Sequence, residues 1–281
     1  MNTDLSGLTA IVTGASGGIG RAVAALLADE GCRLVLHAHR GGEALRAWLA
    51  DQAWRDRAIV VEADIADPDA VARAFAEGEA RFGRVDLCVA NAGVWPPEVL
   101  PLHRLPIDRI REVIAVDLLG ATWTARAWMD GLERHPPRAD GRGASLVFIG
   151  STAGRFGEAG HADYAMAKAG LLGLVLSLKN EVVRLDRYAR VNLVAPGWTV
   201  TEMAREALEA PGAVGAVLRT MPLRQLARPV DVARQVAVLL SPALSRHVSG
   251  EVVTVAGGME GRVQGDGDAD LAEVLARLDQ A

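Results

Sequence analysis

A tyrosine and a lysine four residues apart form the first pair whose chemistry stands out. The chain has 30 basic residues, yet its lysines are only Lys168 and Lys179, and its tyrosines only Tyr164 and Tyr188. Arginine is the default cation here, so a lysine is a choice. Residues four apart on a helix share a face, which sets the Lys168 ammonium beside the Tyr164 phenol. A free phenol titrates near pH 10, and bringing it to about 7 takes roughly 4 kcal/mol of differential stabilisation of the phenolate. A neighbouring positive charge works in that direction. Such a pair could give or take a proton on an oxygen, with Tyr164 as general acid or base and Lys168 as its activator.

A second constellation is Thr13-Gly14-Ala15-Ser16-Gly17-Gly18-Ile19-Gly20, which follows an apolar run and opens an amphipathic segment. Glycines there allow a tight turn and let the backbone approach a pyrophosphate at the positive end of a helix.

The elements that must hold these residues alternate along the chain. Short apolar runs recur at Thr9–Thr13, Leu34–His37, Ala58–Glu62, Val85–Ala90, Ser145–Ile149, Val191–Ala195 and Val252–Val255. Continuous rather than alternating hydrophobicity predicts strands buried on both faces. Between them, apolar residues fall at helical spacing, as at Ile19, Val23, Leu26 and Leu27. Asp67-Pro68 reads as an N-cap with proline at the first helical position. Strand and helix in alternation predict an α/β fold, a single-domain doubly wound parallel sheet of about seven strands.

With no repeat or linker before residue 260, one domain over 1–260 is expected, followed by a linker and short amphipathic helix over 261–281. Leu271, Val274, Leu275 and Leu278 carry that helix pattern. Asp266-Gly-Asp268-Ala-Asp270 resembles the start of a calcium loop, but Leu271 and Arg277 fail at its sixth and twelfth positions, so no metal is expected. The 281 residues are 50% hydrophobic and carry a net charge of −5, which provides no basic field for nucleic acid or an anionic membrane. Cys32 and Cys88 lie in apolar runs, and Met1–Leu8 lacks the pattern of a signal peptide. A cytoplasmic protein without a membrane span is expected.

Glycines at 14, 18 and 20 give Thr-Gly-x3-Gly-x-Gly, and the chain resembles the short-chain dehydrogenase/reductase (SDR) family. Extended members such as sugar epimerases show Thr-Gly-x2-Gly-x2-Gly instead. The likeness continues through Asp64, Asn91-Ala92-Gly93, Ser151 thirteen residues before Tyr164, Tyr164-Ala-Met-Ala-Lys168, Pro196-Gly197 with Thr201, and Gly257-Gly258. Only the tail beyond about 260 is uncovered. The resemblance implies a Rossmann-type oxidoreductase moving a hydride between NADP(H) or NAD(H) and a carbonyl or secondary alcohol, as in ketone or 3-oxoacyl reductases. It assigns proton transfer to Tyr164, the nicotinamide ribose and phenol activation to Lys168, and the substrate carbonyl to Ser151. Nucleotide contacts fall to Gly14, Ser16, Gly17, Gly18, Ile19, Gly20, Asp64, Ile65, Asn91, Ala92, Gly93, Pro196, Gly197, Thr199 and Thr201. It also implies a substrate lid near 200–226 and a homodimer or homotetramer built on helices around Ile107–Glu133 and Tyr164–Leu185.

One departure is Asp117, which stands where the family has an asparagine that helps hold a proton-relaying water. Its charge is expected to strengthen the Lys168 ammonium and alter the pH profile, unless the side chain points elsewhere. For the nucleotide, Ala38 occupies the place of the acid that grips a ribose 2′-hydroxyl, while His39 and Arg40 suit a 2′-phosphate. NADP is therefore expected over NAD, although Gly17 lacks the extra basic residue of many NADP users. Trp95 and Trp198 are either pocket walls or packing under loops, and His161 either touches substrate or is solvated. Tyr188 reads as helix surface. The rival readings are an NAD-dependent alcohol dehydrogenase and a nucleotide-binding regulator without turnover.

Overall fold

The computed structural model describes residues 2–261, and the expected terminal helix falls outside them. Among the described residues, seven strands form one parallel sheet: β1 (Thr9–Val12), β2 (Arg33–Ala38), β3 (Ala58–Glu62), β4 (Leu87–Ala90), β5 (Ser145–Ile149), β6 (Arg190–Pro196) and β7 (Val252–Val255). Their order is β3-β2-β1-β4-β5-β6-β7. Side chains alternate between two cores, as the pleat requires. Ala10, Val12, Leu34, Leu36, Leu87, Val89 and Val147 face one; Ile11, Val35, Cys88, Leu146 and Phe148 face the other. Burial on both faces is why the runs read as continuously apolar.

The helices between them are α1 (Gly18–Asp29), α2 (Gly42–Ala50), α3 (Pro68–Phe82), α4 (Ile107–Val113), α5 (Ala121–Arg134), α6 (Ala153–Phe156), α7 (Ala162–Glu181), α8 (Glu202–Glu209), α9 (Ala213–Leu218) and α10 (Pro229–Leu240). The first core packs under α1, α2 and α10, and the second under α3, α5 and α7, with Trp128 of α5 fully buried there. Asp67 caps α3 by accepting from the Asp69 N–H at 2.9 Å.

The helix expected over Ile107–Glu133 is interrupted. Residues Ile114–Gly120 form a π-helical segment between α4 and α5. At its end the Thr122 and Thr124 hydroxyls donate to the Leu118 and Gly120 carbonyls, each at 2.8 Å. From β1 the chain winds outward to β2 and β3, then returns to β4 on the other side. That reversal opens a crevice at the carboxyl ends of β1 and β4, where α/β sheets bind ligands. No helix among the described residues is long and apolar enough to cross a membrane.

Candidate active site

The crevice is a cavity of about 730 Å³. At one end lies the glycine turn, shaped by close approach. Gly14 adopts φ +64°, and a Cβ there would meet the Ala92 backbone at 2.9 Å. A Cβ on Gly20 would collide with the Gly14 carbonyl. α1 begins without a side-chain cap or an acidic residue in its first turn, so its free N–H groups face the cavity as an anion site. The turn is pinned from two sides. Asn91 Nδ2 donates to the Thr13 and Gly14 carbonyls at 2.8 and 3.2 Å, and the Thr13 hydroxyl accepts from the N–H groups of Asn91 and Ala92 at 2.9 and 3.0 Å.

His37 gives the second support, which no motif in the sequence announces. Its Nδ1 accepts from the Gly14 N–H at 3.2 Å and its Nε2 faces the Ala63 carbonyl at 3.0 Å, which sets the tautomer. Burial holds its pKa below the usual value, keeping the ring neutral. Ala38 is in the core, while His39 and Arg40 are exposed and line the rim. A dinucleotide fits this end: open backbone donors for a pyrophosphate, cationic side chains beyond them, and Asp64 and Ile65 on the same wall.

At the other end Ser151, Tyr164 and Lys168 line the cavity with Trp95 and Trp198. Ser151 lies two residues beyond β5, and α7 carries the other two one turn apart. The Lys168 Nζ lies 5.5 Å from the Tyr164 ring centroid and donates to the Ile149 carbonyl at 3.3 Å. Of the expected nucleotide contacts, Gly14, Ser16, Gly17, Gly18, Ile19, Gly20, Asn91, Ala92, Gly93, Pro196, Gly197, Thr199 and Thr201 share the wall. Thr201 caps α8 and packs its methyl over Gly18, rooting the 200–226 segment on the glycine turn.

Asp117 and His161 stand behind that wall. Asp117 is wholly buried in the π-helical segment, with Oδ1 accepting from the Val94 N–H at 2.7 Å and Oδ2 without a hydrogen-bond partner. It points at Gly93 and the Lys168 ammonium, not elsewhere. Burial pushes its carboxyl up to about 6, against the pull of Lys168. His161 corrects the solvated alternative. It is buried, its Nε2 faces the Pro96 carbonyl at 3.0 Å, and it stacks on Trp95 at 3.9 Å. Burial holds its pKa down as well.

In the protein alone, desolvation drives the Tyr164 pKa well above its usual value, and the Asp117 and Glu158 carboxylates add to the rise. A hydrogen bond from Ser151 opposes them. Tyr188 lies in a turn before β6, between the Arg187 and Arg246 guanidinium groups at 4.8 and 5.0 Å, not on a helix.

Two further residues escape a reading of the sequence. Arg109 of α4 pairs with the buried Asp163, next to Tyr164, at 2.9 Å and donates to the Glu98 carbonyl at 2.6 Å. It ties the loop after β4 to the start of α7. Glu158 lines the cavity from the loop before α7. Neither carries a short motif; Arg109 is one arginine among many.

A family model described as enoyl-(acyl carrier protein) reductase matches residues 14–260. The chain is 38% identical to a cis-4-hydroxycyclohexanecarboxylate dehydrogenase of Sinomonas cyclohexanicum, over 89% of this chain and 95% of that one. It is 33% identical to the 3-oxoacyl-(acyl-carrier-protein) reductase FabG of Escherichia coli, over 91% and 98%. A solved glucose/ribitol dehydrogenase of the short-chain type from Brucella melitensis superposes with a TM-score of 0.82 at 30% identity, covering 92% of this chain and 98% of that one.

Proposed function

The chain belongs to the short-chain dehydrogenase/reductase family and is an oxidoreductase acting on carbonyl and alcohol groups, and from that premise we propose that it is an NADPH-dependent ketone reductase. The observation that carries the proposal is one cavity with an anion-binding glycine turn at one end and Ser151, Tyr164 and Lys168 at the other. NADPH over NADH is supported by Arg40 and His39 on the rim and the absence of an acid at Ala38. The relatives' own reactions, on a hydroxycyclohexane ring and on 3-oxoacyl chains, support a ketone as the group reduced.

Bound NADPH supplies the hydride. Ser151 holds the carbonyl oxygen, and Tyr164 donates its phenolic proton as that oxygen becomes an alkoxide. A phenol that resists ionisation is a competent donor in this direction. Lys168 fixes the nucleotide ribose and places positive charge beside the phenolate that remains. Asp117 acts on Lys168 from behind Gly93, in the family's asparagine position. The segment over 200–226 closes over the substrate. Residues 1–260 form the catalytic domain.

Assembly as a homodimer or homotetramer is supported by exposed Leu119, Met166 and Leu176 on the π-helical segment and α7. A cytoplasmic, reducing setting is supported by two buried free thiols; burial pushes Cys32 up to about 12. The test is oxidation of NADPH and of NADH with a panel of ketones, for the native chain and for Arg40→Ala. The proposal expects native preference for NADPH and a loss of about tenfold or more in that preference on substitution. Stronger turnover of NADH by the native chain would overturn it.

A further inference from the structure

Two tryptophan rings bound the space beside the phenol. Trp95 meets Tyr164 edge-on, with centroids 4.7 Å apart at 89°, and meets Trp198 at 6.1 Å and 75°. His161 stacked against Trp95 fixes that ring. Glu158 lines the same cavity, close enough for its charge to raise the Tyr164 pKa. Its carboxylate has no ion-pair or hydrogen-bond partner among the described residues, and partial burial pushes its pKa up.

The loop that carries it is held firmly. The His161 N–H donates to the Glu158 carbonyl at 3.1 Å, the Leu100 N–H to the Gly160 carbonyl at 3.1 Å, and Arg109 anchors both sides. Of the lining cations, Lys168 donates to the Ile149 carbonyl, and Arg40 stands at the glycine-turn end. Glu112 adds exposed negative charge to the lining. Steeply angled ring faces together with an uncompensated carboxylate attract an organic cation and repel an anion.

We propose that this subsite selects a ketone, or its alcohol, bearing an ammonium group that sits between the Trp95 and Trp198 rings and the Glu158 carboxylate. The proposal rests on the ketone-reductase reading above and adds the substrate's charge class. With NADPH bound, its hydride would go to the carbonyl carbon and the Tyr164 proton to the oxygen, giving an amino alcohol and NADP⁺, and the phenolate would recover a proton from solvent.

Three ketones of one ring test it: 4-(dimethylamino)cyclohexanone, cationic at neutral pH; 4-isopropylcyclohexanone, its neutral isostere; and 4-oxocyclohexanecarboxylate. With saturating NADPH, kcat/KM for the cation should exceed that of the isostere and of the carboxylate by about tenfold or more. Glu158→Gln should cut the cation-to-isostere ratio about tenfold, and Glu158→Lys should move the preference to the carboxylate. Binding of the same three compounds, followed by quenching of tryptophan fluorescence without nucleotide, should show the same order. A cation bound and turned over no better than its isostere, or a ratio indifferent to Glu158→Gln, overturns the proposal. If none of the three is reduced, the ketone-reductase reading fails, and the fluorescence order alone decides the charge class.

Discussion

Asp117 shows how one atom of difference changes a site. Its carboxyl titrates at about 6 because it is buried, so its ionised form costs more in the native chain than in the unfolded one. As pH rises from about 4 through 6, the native state therefore loses up to roughly 3 kcal/mol relative to its protonated form. Asp117→Asn keeps an acceptor for the Val94 N–H and removes that penalty. Its melting temperature should exceed the native one by more at about pH 7.5 than at about pH 4. The same substitution removes one source of the raised Tyr164 pKa, so the pH–rate profile for alcohol oxidation should shift to lower pH. An unchanged profile would mean that Asp117 does not act on the proton donor. Tyr164→Phe should lower turnover by about 10²–10⁴ while nucleotide binding, followed by fluorescence, persists. The Tyr164 and Lys168 positions were legible because an ordinary helix surface in this chain would carry arginine, not a rare cation four residues from a rare phenol. Glu158 was not, because an acid on a loop reads as solvated surface until the fold encloses it.

At the scale of elements, strands were legible to within a residue or two, since burial on both faces leaves an apolar run that arginine-rich helices do not imitate. What holds the elements in register was hidden. His37 is the penultimate residue of β2 and reads as half of a paired-histidine run, yet its ring fastens β2 to the glycine turn and to the residue after β3. His37→Ala should cost about 1–3 kcal/mol through the unpaired Gly14 N–H and weaken nucleotide binding with it. Because burial lowers the native His37 pKa, the unfolded chain takes up a proton first as pH falls below about 6.5. That component of stability is present above this pH and fades below it. The Arg109–Asp163 pair works likewise between α4 and α7. Arg109→Ala strands a buried carboxylate and should destabilise by about 3–5 kcal/mol in urea unfolding.

The whole molecule separates stability from chemistry along the strands. Opposite the crevice, at the amino ends of β4 and β5, Arg84 pairs with Asp186 at 2.5 Å and lies 3.6 Å from Asp86, all nearly buried. Asp86 accepts from the Thr9 N–H at 3.1 Å, and Asp186 from the Ala144 N–H at 3.2 Å, so the cluster joins the sheet at its base. Arg84→Ala should lower the melting temperature with no change in KM for the nucleotide, because no site residue touches it. Composition gave no sign of this cluster; charges far apart in sequence met only in the folded sheet. The π-helical segment has a consequence at the same scale, best put as phase. The wider π turn takes up its extra residue, so α4 and α5 keep close to the phase of one regular helix, with Arg109 on Asp163 and Trp128 in the core under the sheet. Deleting one residue between 114 and 120 would restore regular winding and leave both anchors close to their present faces. The segment is slack taken up between two fixed neighbours, and Asp117 is set on that slack.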